Sequence, residues 1–175
     1  MASARLTGGI GRFEQEKRFV LQHNDPVPGD ACHSLSELPP EAASIVHEAR
    51  RAVLSTLDRF GKPHAVPVCF AVVHDELVTA IDHKPKSKRR AARLVNVERN
   101  PAAAMLFDRW DEDWRRLGWV LVRGVARIEP PGTGSLELVR RYPQYSRRPP
   151  DGEVIALSPE RVTWWLWAES ASASL

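Results

Sequence analysis

The chain has 175 residues, of which 43% are hydrophobic and 27% charged, proportions that exclude a disordered or fibrous protein. This length predicts one domain with its own hydrophobic core. The net charge of +3 is too small to indicate general nucleic-acid binding. The longest apolar run, 65–73, contains Pro67 and falls far short of the roughly 20 residues of a membrane-spanning helix. With no apolar secretory signal and only two cysteines, we expect a cytoplasmic protein with no membrane or nucleic-acid partner.

The first 37 residues contain Gly and Pro without hydrophobic periodicity, which predicts an N-terminal extension that is flexible. The folded domain is expected over 38–168, followed by a short tail at 169–175. Its first element is a helix from Pro40 to about Arg51, because a proline pair followed by Glu is typical of a helix start.

Short runs rich in Val, Leu, Ile and Thr then alternate with turn residues such as Gly61 and the pair His74–Asp75. Such runs without a regular βα alternation predict a mainly β fold (α+β), an antiparallel barrel with short helices added. Strands are predicted at 53–57, 64–73, 76–81, 102–107, 117–128 and 161–167. A short helix is predicted at 135–141, and a proline-rich loop at 142–152.

A second conspicuous helix is predicted between Ser87, a suitable N-cap, and Asn100, with Ala91, Leu94 and Val95 on one face. The stretch 84–93 holds six cations and no acid. Three of these cations, Lys88, Arg89 and Arg90, fall in the first turn of the predicted helix.

Cations at a helix N-terminus oppose the helix dipole, and the cost disappears when an anion docks there. A spacing of i, i+3, i+4 and i+7 also lets four of the cations converge on one side of the helix. The pattern therefore favours a phosphate site, although a solvated helix face remains the alternative. The converging residues are Lys86, Arg89, Arg90 and Arg93.

Five motifs in order make the sequence recognisable: GKPHAVPVCF at 61–70, DHKPK at 82–86, NVERNP at 96–101, DRWDEDW at 108–114 and RYPQY at 141–145. The chain, from about Leu38 to Trp167, resembles the pyridoxamine 5′-phosphate oxidase-like split-barrel proteins. Within them it is most similar to the actinobacterial branch whose members use the deazaflavin coenzyme F420.

The resemblance implies a six-stranded antiparallel split β-barrel, like that of FMN-binding proteins, and a homodimer with the cofactor in a groove between the subunits. The strand at 65–70 would border the ring, and the basic stretch would hold the phosphate. His83 is a further candidate, either as a hydrogen-bond donor or proton source at the ring edge or as a turn cap. The expected cofactor-binding residues are Lys86, Lys88, Arg89, Arg93, Val66, Pro67, Val68 and His83.

The implied activity is an oxidoreductase in which reduced F420 delivers hydride to a small organic acceptor that the sequence does not identify. No catalytic side chain is assigned, and no metal-ligand spacing is recognised. An FMN-dependent reductase or oxidase of the same fold, or a non-catalytic F420 carrier, are the alternatives. Oxidation of pyridoxamine phosphate itself is not expected, because the residues after Trp167 supply neither the arginine nor the histidine that hold the vitamin phosphate in true oxidases.

Overall fold

The computed structural model describes residues 31–82 and 90–167. Its strands are β1 (Ala31–Cys32), β2 (Ala52–Leu57), β3 (Pro63–Val68), β4 (Ala71–Val73), β5 (Glu76–Ala80), β6 (Ala102–Arg109), β7 (Gly118–Glu129) and β8 (Val154–Leu166). Its helices are α1 (Pro40–Glu48), α2 (Ala92–Arg99) and α3 (Ser135–Arg141), with 3-10 turns at Trp114–Arg116 and Pro143–Tyr145. None of the helices in these two ranges is both long and apolar enough to cross a bilayer.

The strands form one antiparallel sheet in the order β3-β2-β6-β7-β8-β5-β4, with β1 also pairing with β8. The predicted mainly β class with short helices is therefore confirmed. The strand count differs from the six expected, for two reasons. β1 is an additional strand, and the single strand predicted at 64–73 is divided into β3 and β4.

The division between β3 and β4 lies at Phe70, whose side chain is fully buried. Its backbone N–H bonds to the phenolic oxygen of Tyr142 at 2.9 Å instead of to a neighbouring strand. The Phe70 ring packs edge-on against Phe107, with ring centroids 4.8 Å apart. The chain therefore bends inward at this residue, because a buried N–H needs a partner and a side chain supplies it.

The core lies on the inner face of the sheet, where alternate residues of β2 are buried. α2 contacts β2 and β7 on this face, and the buried side-chain amide of Asn96 donates to the Thr56 hydroxyl at 3.0 Å. A second, smaller cluster joins α3 and the following 3-10 turn to β4, β5 and β8. The largest fully buried side chains of the two clusters include Tyr142, Phe70, Phe107, Ile45, Leu54, Leu77 and Met105.

Element bounds depart from the predicted ones at three places. α1 ends at Glu48 rather than near Arg51, because Ala49 has left helical geometry. α2 begins at Ala92, with Ala91 as its N-cap, rather than at Ser87, which lies outside the described residues. β8 begins at Val154, well before the predicted 161, and carries Pro159 within it.

Pro159 fits inside β8 because the ladder with β7 is irregular there. The register shifts between Arg123 and Gly124, so that Glu160 is the extra residue of a bulge and Pro159 lies opposite Gly124. Bulges are among the few places where a sheet accepts proline, since the ladder hydrogen bond is already interrupted.

Residues 31–37 are attached to the sheet, although the sequence placed them in the extension. Cys32 pairs with Val162, and a ring nitrogen of His33 lies 2.8 Å from the Glu160 carbonyl oxygen. The Ser36 amide donates to the Asp75 carboxylate at 2.9 Å.

β3 lies at one end of the strand order, pairs with β2 alone among the described strands, and contains Pro63 and Pro67.

Candidate functional site

Four of the predicted cofactor-binding residues, His83, Lys86, Lys88 and Arg89, lie outside the described residues. The other four lie on two elements: Arg93 in the first turn of α2, and Val66, Pro67 and Val68 on β3. The geometry of the site is therefore built from Arg93 and the edge of β3.

Arg93 is half-buried, and its Nε atom is shielded from solvent with no hydrogen-bond acceptor among the described residues. Burial lowers the pKa of its guanidinium, while the nearby Asp82 and Tyr145 act in the opposite direction. A buried guanidinium N–H without an acceptor costs free energy, on the order of 1–3 kcal/mol. The position is therefore suited to an anion that accepts from Nε.

Asp82 follows β5 and is held by Tyr145, whose buried phenol donates to the Asp82 Oδ2 atom at 3.0 Å. Burial, then contact with Cys69 and the charge of Asp82, raise the pKa of Tyr145, so its hydroxyl stays protonated and remains a donor. The sequence did not assign either Asp82 or Tyr145 to the site. Asp82 begins the motif DHKPK and Tyr145 ends the motif RYPQY. Their place in these two motifs was the only sequence feature that could have assigned them to the site.

Arg90 does not join Arg93 as the helical spacing predicted. It precedes α2, and its guanidinium forms ion pairs of 2.6 Å with Glu98 and with Glu153. These two carboxylates raise the pKa of Arg90 and satisfy its donors. The predicted convergence of Arg90 and Arg93 on one helix face is therefore wrong, because the helix starts two residues after Arg90.

β3 presents its backbone along the free edge of the sheet. Val68 is buried and Val66 half-buried, facing the core side with Leu54, whereas Pro67 points to the outer face and is exposed. α2 reaches this region through Asn96, which contacts Thr56 beside β3. Arg93 lies one helical turn before Asn96, so it is about 5 Å further along the same side of α2.

The arrangement combines two features: the buried Nε atom of Arg93, which has no acceptor among the described residues, and the outer edge of β3, which no other described strand covers. None of the described side chains that form it is a nucleophile activated by a base. Among residues 31–82 and 90–167, no group of three or more His, Cys, Asp or Glu side chains is placed to hold a metal ion. The chemistry of this arrangement suits a ligand that carries a phosphate or carboxylate.

Comparison with known proteins gives a family and a fold. The family model described as pyridoxamine 5′-phosphate oxidase matches residues 38–166. No curated protein matches the chain.

Among solved structures, a conserved hypothetical protein from Mycobacterium tuberculosis is 20% identical, with a TM-score of 0.62 over 86% of this chain and 99% of that one. General Stress Protein 26 from Bacillus anthracis is 23% identical, with a TM-score of 0.53 over 71% of this chain and 90% of the other. A haem storage protein from Vibrio cholerae is 17% identical, with a TM-score of 0.58 over 74% and 94% of the two chains. At these identities the likeness concerns the fold.

Proposed function

Because the chain belongs to the pyridoxamine 5′-phosphate oxidase family, we propose that it is an oxidoreductase holding a flavin-type cofactor, with reduced coenzyme F420 preferred over FMN. The observation that carries this proposal is the buried Nε atom of Arg93, which has no acceptor in the part of the chain that the structure describes. A cofactor phosphate supplies one, and charge-assisted bonds of this kind are among the stronger hydrogen bonds in proteins.

In this proposal, one group of residues binds the cofactor phosphate and another borders the ring. Arg93 binds the phosphate, and the sequence adds Lys86, Lys88 and Arg89 as its partners in this role. The backbone of Val66, Pro67 and Val68 borders the ring, with His83 at the ring edge.

When bound, the reduced deazaflavin supplies hydride to an electron-poor double bond, so the protein needs no nucleophile. The chain's own contribution is to orient the cofactor and to exclude water around it. Tyr145 serves as a positioning residue, since it binds the Asp82 carboxylate, whose charge acts on Arg93.

A homodimer completes the groove in this proposal. Its support is the apolar surface at one end of the outer face of the sheet, where Trp119 and Trp165 pair across β7 and β8 with 36% and 40% of their surfaces exposed. Trp110 and Trp114 are more exposed still, at 74% and 62%. Clusters of exposed aromatic side chains mark interfaces. We therefore expect Trp165→Ser to shift the protein toward the monomer in sedimentation, and Phe60→Ser, a change at an exposed turn remote from this cluster, to leave it unchanged.

Oxidation of pyridoxamine phosphate is not part of the proposal, despite the family's description. The residues that follow Trp167 are Ala, Glu, Ser, Ala and Ser, which offer no cation for the vitamin phosphate.

A non-catalytic carrier is the second candidate, favoured by the structural likeness to a haem storage protein. In that case the chain would bind its ligand tightly without turning it over. Purified protein is therefore titrated with F420, FMN and haem in parallel. Tight binding of FMN or haem with none of F420 would overturn the preferred cofactor.

The role of Arg93 is tested with Arg93→Met, which removes the guanidinium and keeps an apolar stem. We expect F420 affinity to fall by about tenfold or more, the equivalent of one lost charge-assisted bond. The matched control is Arg99→Met, which removes an exposed arginine from the last turn of the same helix. Equal affinities for the two variants would refute the phosphate assignment.

Catalysis is tested separately, by following oxidation of reduced F420 with quinones, enones and tetrapyrroles as acceptors. Turnover with any of them supports the oxidoreductase. Binding of F420 without turnover across the panel favours the carrier.

A further inference from the structure

The outer face of the sheet carries two arginines side by side. Arg123 on β7 lies directly opposite Arg161 on β8 in the antiparallel ladder, and both side chains are exposed. Like charges in this position destabilise a strand pair. Among the described residues, neither guanidinium has a hydrogen-bond or ion-pair partner, whereas Arg127, four residues along β7, is bonded to two carboxylates.

Arg123 lies at one end of a trough, with Arg161 beside it in the ladder. In the ladder Arg123 is followed by Ala104 on β6, Ser55 on β2 and Ala65 on β3, a row of small side chains on the same face. An open, mainly apolar concavity of about 400 Å³ is lined by Arg123, Ala104 and Ser55 of this row, together with Leu57 and Pro63. We call it the Arg123 trough.

The trough is separate from the site at Arg93. Ser55 points to the outer face, while its neighbour Thr56 points inward, where it contacts α2. Successive residues of a strand face opposite sides. A ligand in the trough would therefore be separated from α2 by the thickness of the sheet.

We propose that the Arg123 trough binds a small carboxylic acid with a flat apolar body. The carboxylate lies between Arg123 and Arg161, whose planar guanidinium groups match its geometry and whose mutual repulsion it removes. The body lies over Ala104 and Ser55, where short side chains leave room for it.

The bulge in β8 introduces one opposing charge. Glu160, its extra residue, also lines the trough and forms no ion pair with a described residue. Its carboxylate repels an anionic ligand, so we expect its removal to have the opposite effect on binding from the removal of an arginine. Removing this charge with Glu160→Gln strengthens binding, while removing either arginine weakens it.

The test uses the full-length protein and benzoate as the probe, with benzyl alcohol as its neutral analogue and inorganic phosphate as an anion without an apolar body. Amide NMR shifts report the place of binding. We expect benzoate to shift Ser55, Ala104 and Gly124 and to bind about tenfold more tightly than benzyl alcohol. Glu160→Gln should tighten benzoate binding severalfold.

Arg123→Gln should weaken benzoate binding about tenfold, and the double variant with Arg161→Gln should abolish it. The control, Arg59→Gln, changes an exposed arginine at a turn and should leave the affinity unchanged.

Three outcomes overturn the proposal. Benzoate shifts that persist in the double variant would place the probe elsewhere. Phosphate binding as tight as that of benzoate would show that the apolar trough contributes nothing. Loss of self-association in the double variant, together with no benzoate binding to the unaltered protein, would show that a second copy of the chain covers the arginines.

Discussion

The amide nitrogen of Phe70 donates a hydrogen bond of 2.9 Å to the phenolic oxygen of Tyr142, joining residues 72 positions apart in the chain. Both residues are buried. The bond connects the break between β3 and β4 to the end of α3. It therefore fixes the position at which the chain leaves the edge strand and enters the core.

Replacing Tyr142 with Phe should destabilise the protein by about 1–3 kcal/mol, because the Phe70 N–H loses its acceptor while remaining buried. The free energy of unfolding in urea measures the change. Leu136→Ala, at an exposed position of α3 with 68% of its surface exposed, serves as control and should stay within about 0.5 kcal/mol. An unchanged stability in Tyr142→Phe would mean that water replaces the phenol.

Arg141, the last residue of α3, caps the C-terminal end of α1. Its Nη2 atom donates to the carbonyl oxygens of Val46, His47 and Ala49 at 2.9, 3.0 and 2.5 Å, and its guanidinium lies 4.2 Å from the Phe70 ring centroid. Arg141→Lys keeps the charge but loses the planar group. We expect a loss of about 1–3 kcal/mol in unfolding free energy. Arg140→Lys, its exposed neighbour, should have no measurable effect, and equal losses in the two variants would contradict the capping role.

Glu76 gives the protein a pH-dependent contribution to stability. A bidentate ion pair with Arg127, with oxygen–nitrogen distances of 2.6 and 2.7 Å, lowers the pKa of the Glu76 carboxyl to about 2, and Ser158 adds a hydrogen bond. Because the folded-state pKa lies below the ordinary 4.5, this stabilisation is present above pH 4.5 and is lost as the pH falls toward 2.

Glu76→Gln should therefore reduce stability at pH 6 by about 1 kcal/mol, a figure that allows for solvent screening of the partly exposed pair. The difference from the unaltered protein should shrink at pH 3. Urea midpoints at the two pH values measure it, with the exposed Glu48→Gln as control. A difference that is the same at both pH values would exclude the carboxylate as its source.

Gly124 is required at the bulge between β7 and β8. A Cβ atom there would lie 1.9 Å from the carbonyl oxygen of Ser158, too close for any side chain without movement of the backbone. We expect Gly124→Ala to cost about 3 kcal/mol in unfolding free energy. Val125→Ala, at the next and exposed position, should change it by less than about 1 kcal/mol. A stable Gly124→Ala variant would show that the bulge can relax.

Local signals predicted the parts of the fold that depend on local structure. The turns at Gly61 and at His74–Asp75 all show positive φ angles, of 74°, 48° and 71°, and α3 has the predicted bounds. The start of β8 was missed because Pro159 breaks the pattern of a strand, and only its pairing with the bulge makes it acceptable. The division at Phe70 was missed for a similar reason, since its cause lies in a remote tyrosine.

For the candidate site, the sequence predicted the positive charge but not the contacts between side chains. The sequence singled out Arg93 as part of a basic stretch, and the structure adds that its Nε atom is buried and has no acceptor within residues 31–82 and 90–167. The pairing of Arg90 with Glu98 and Glu153 could not be foreseen, because Glu153 is 63 residues away and sequence spacing carries no information about it. The contact between Tyr145 and Asp82 has the same long-range origin.

The two prolines of β3 bear on how the protein avoids aggregation. An unpaired strand edge is a template on which other chains can add, and proline is accepted there only where its nitrogen faces away from the neighbouring strand. Pro63 and Pro67 therefore remove donors from the free margin of the sheet, leaving Ala65 as the amide between them. Such a margin cannot seed a continuous intermolecular ladder, so it can stay open to a small ligand without recruiting misfolded or neighbouring chains.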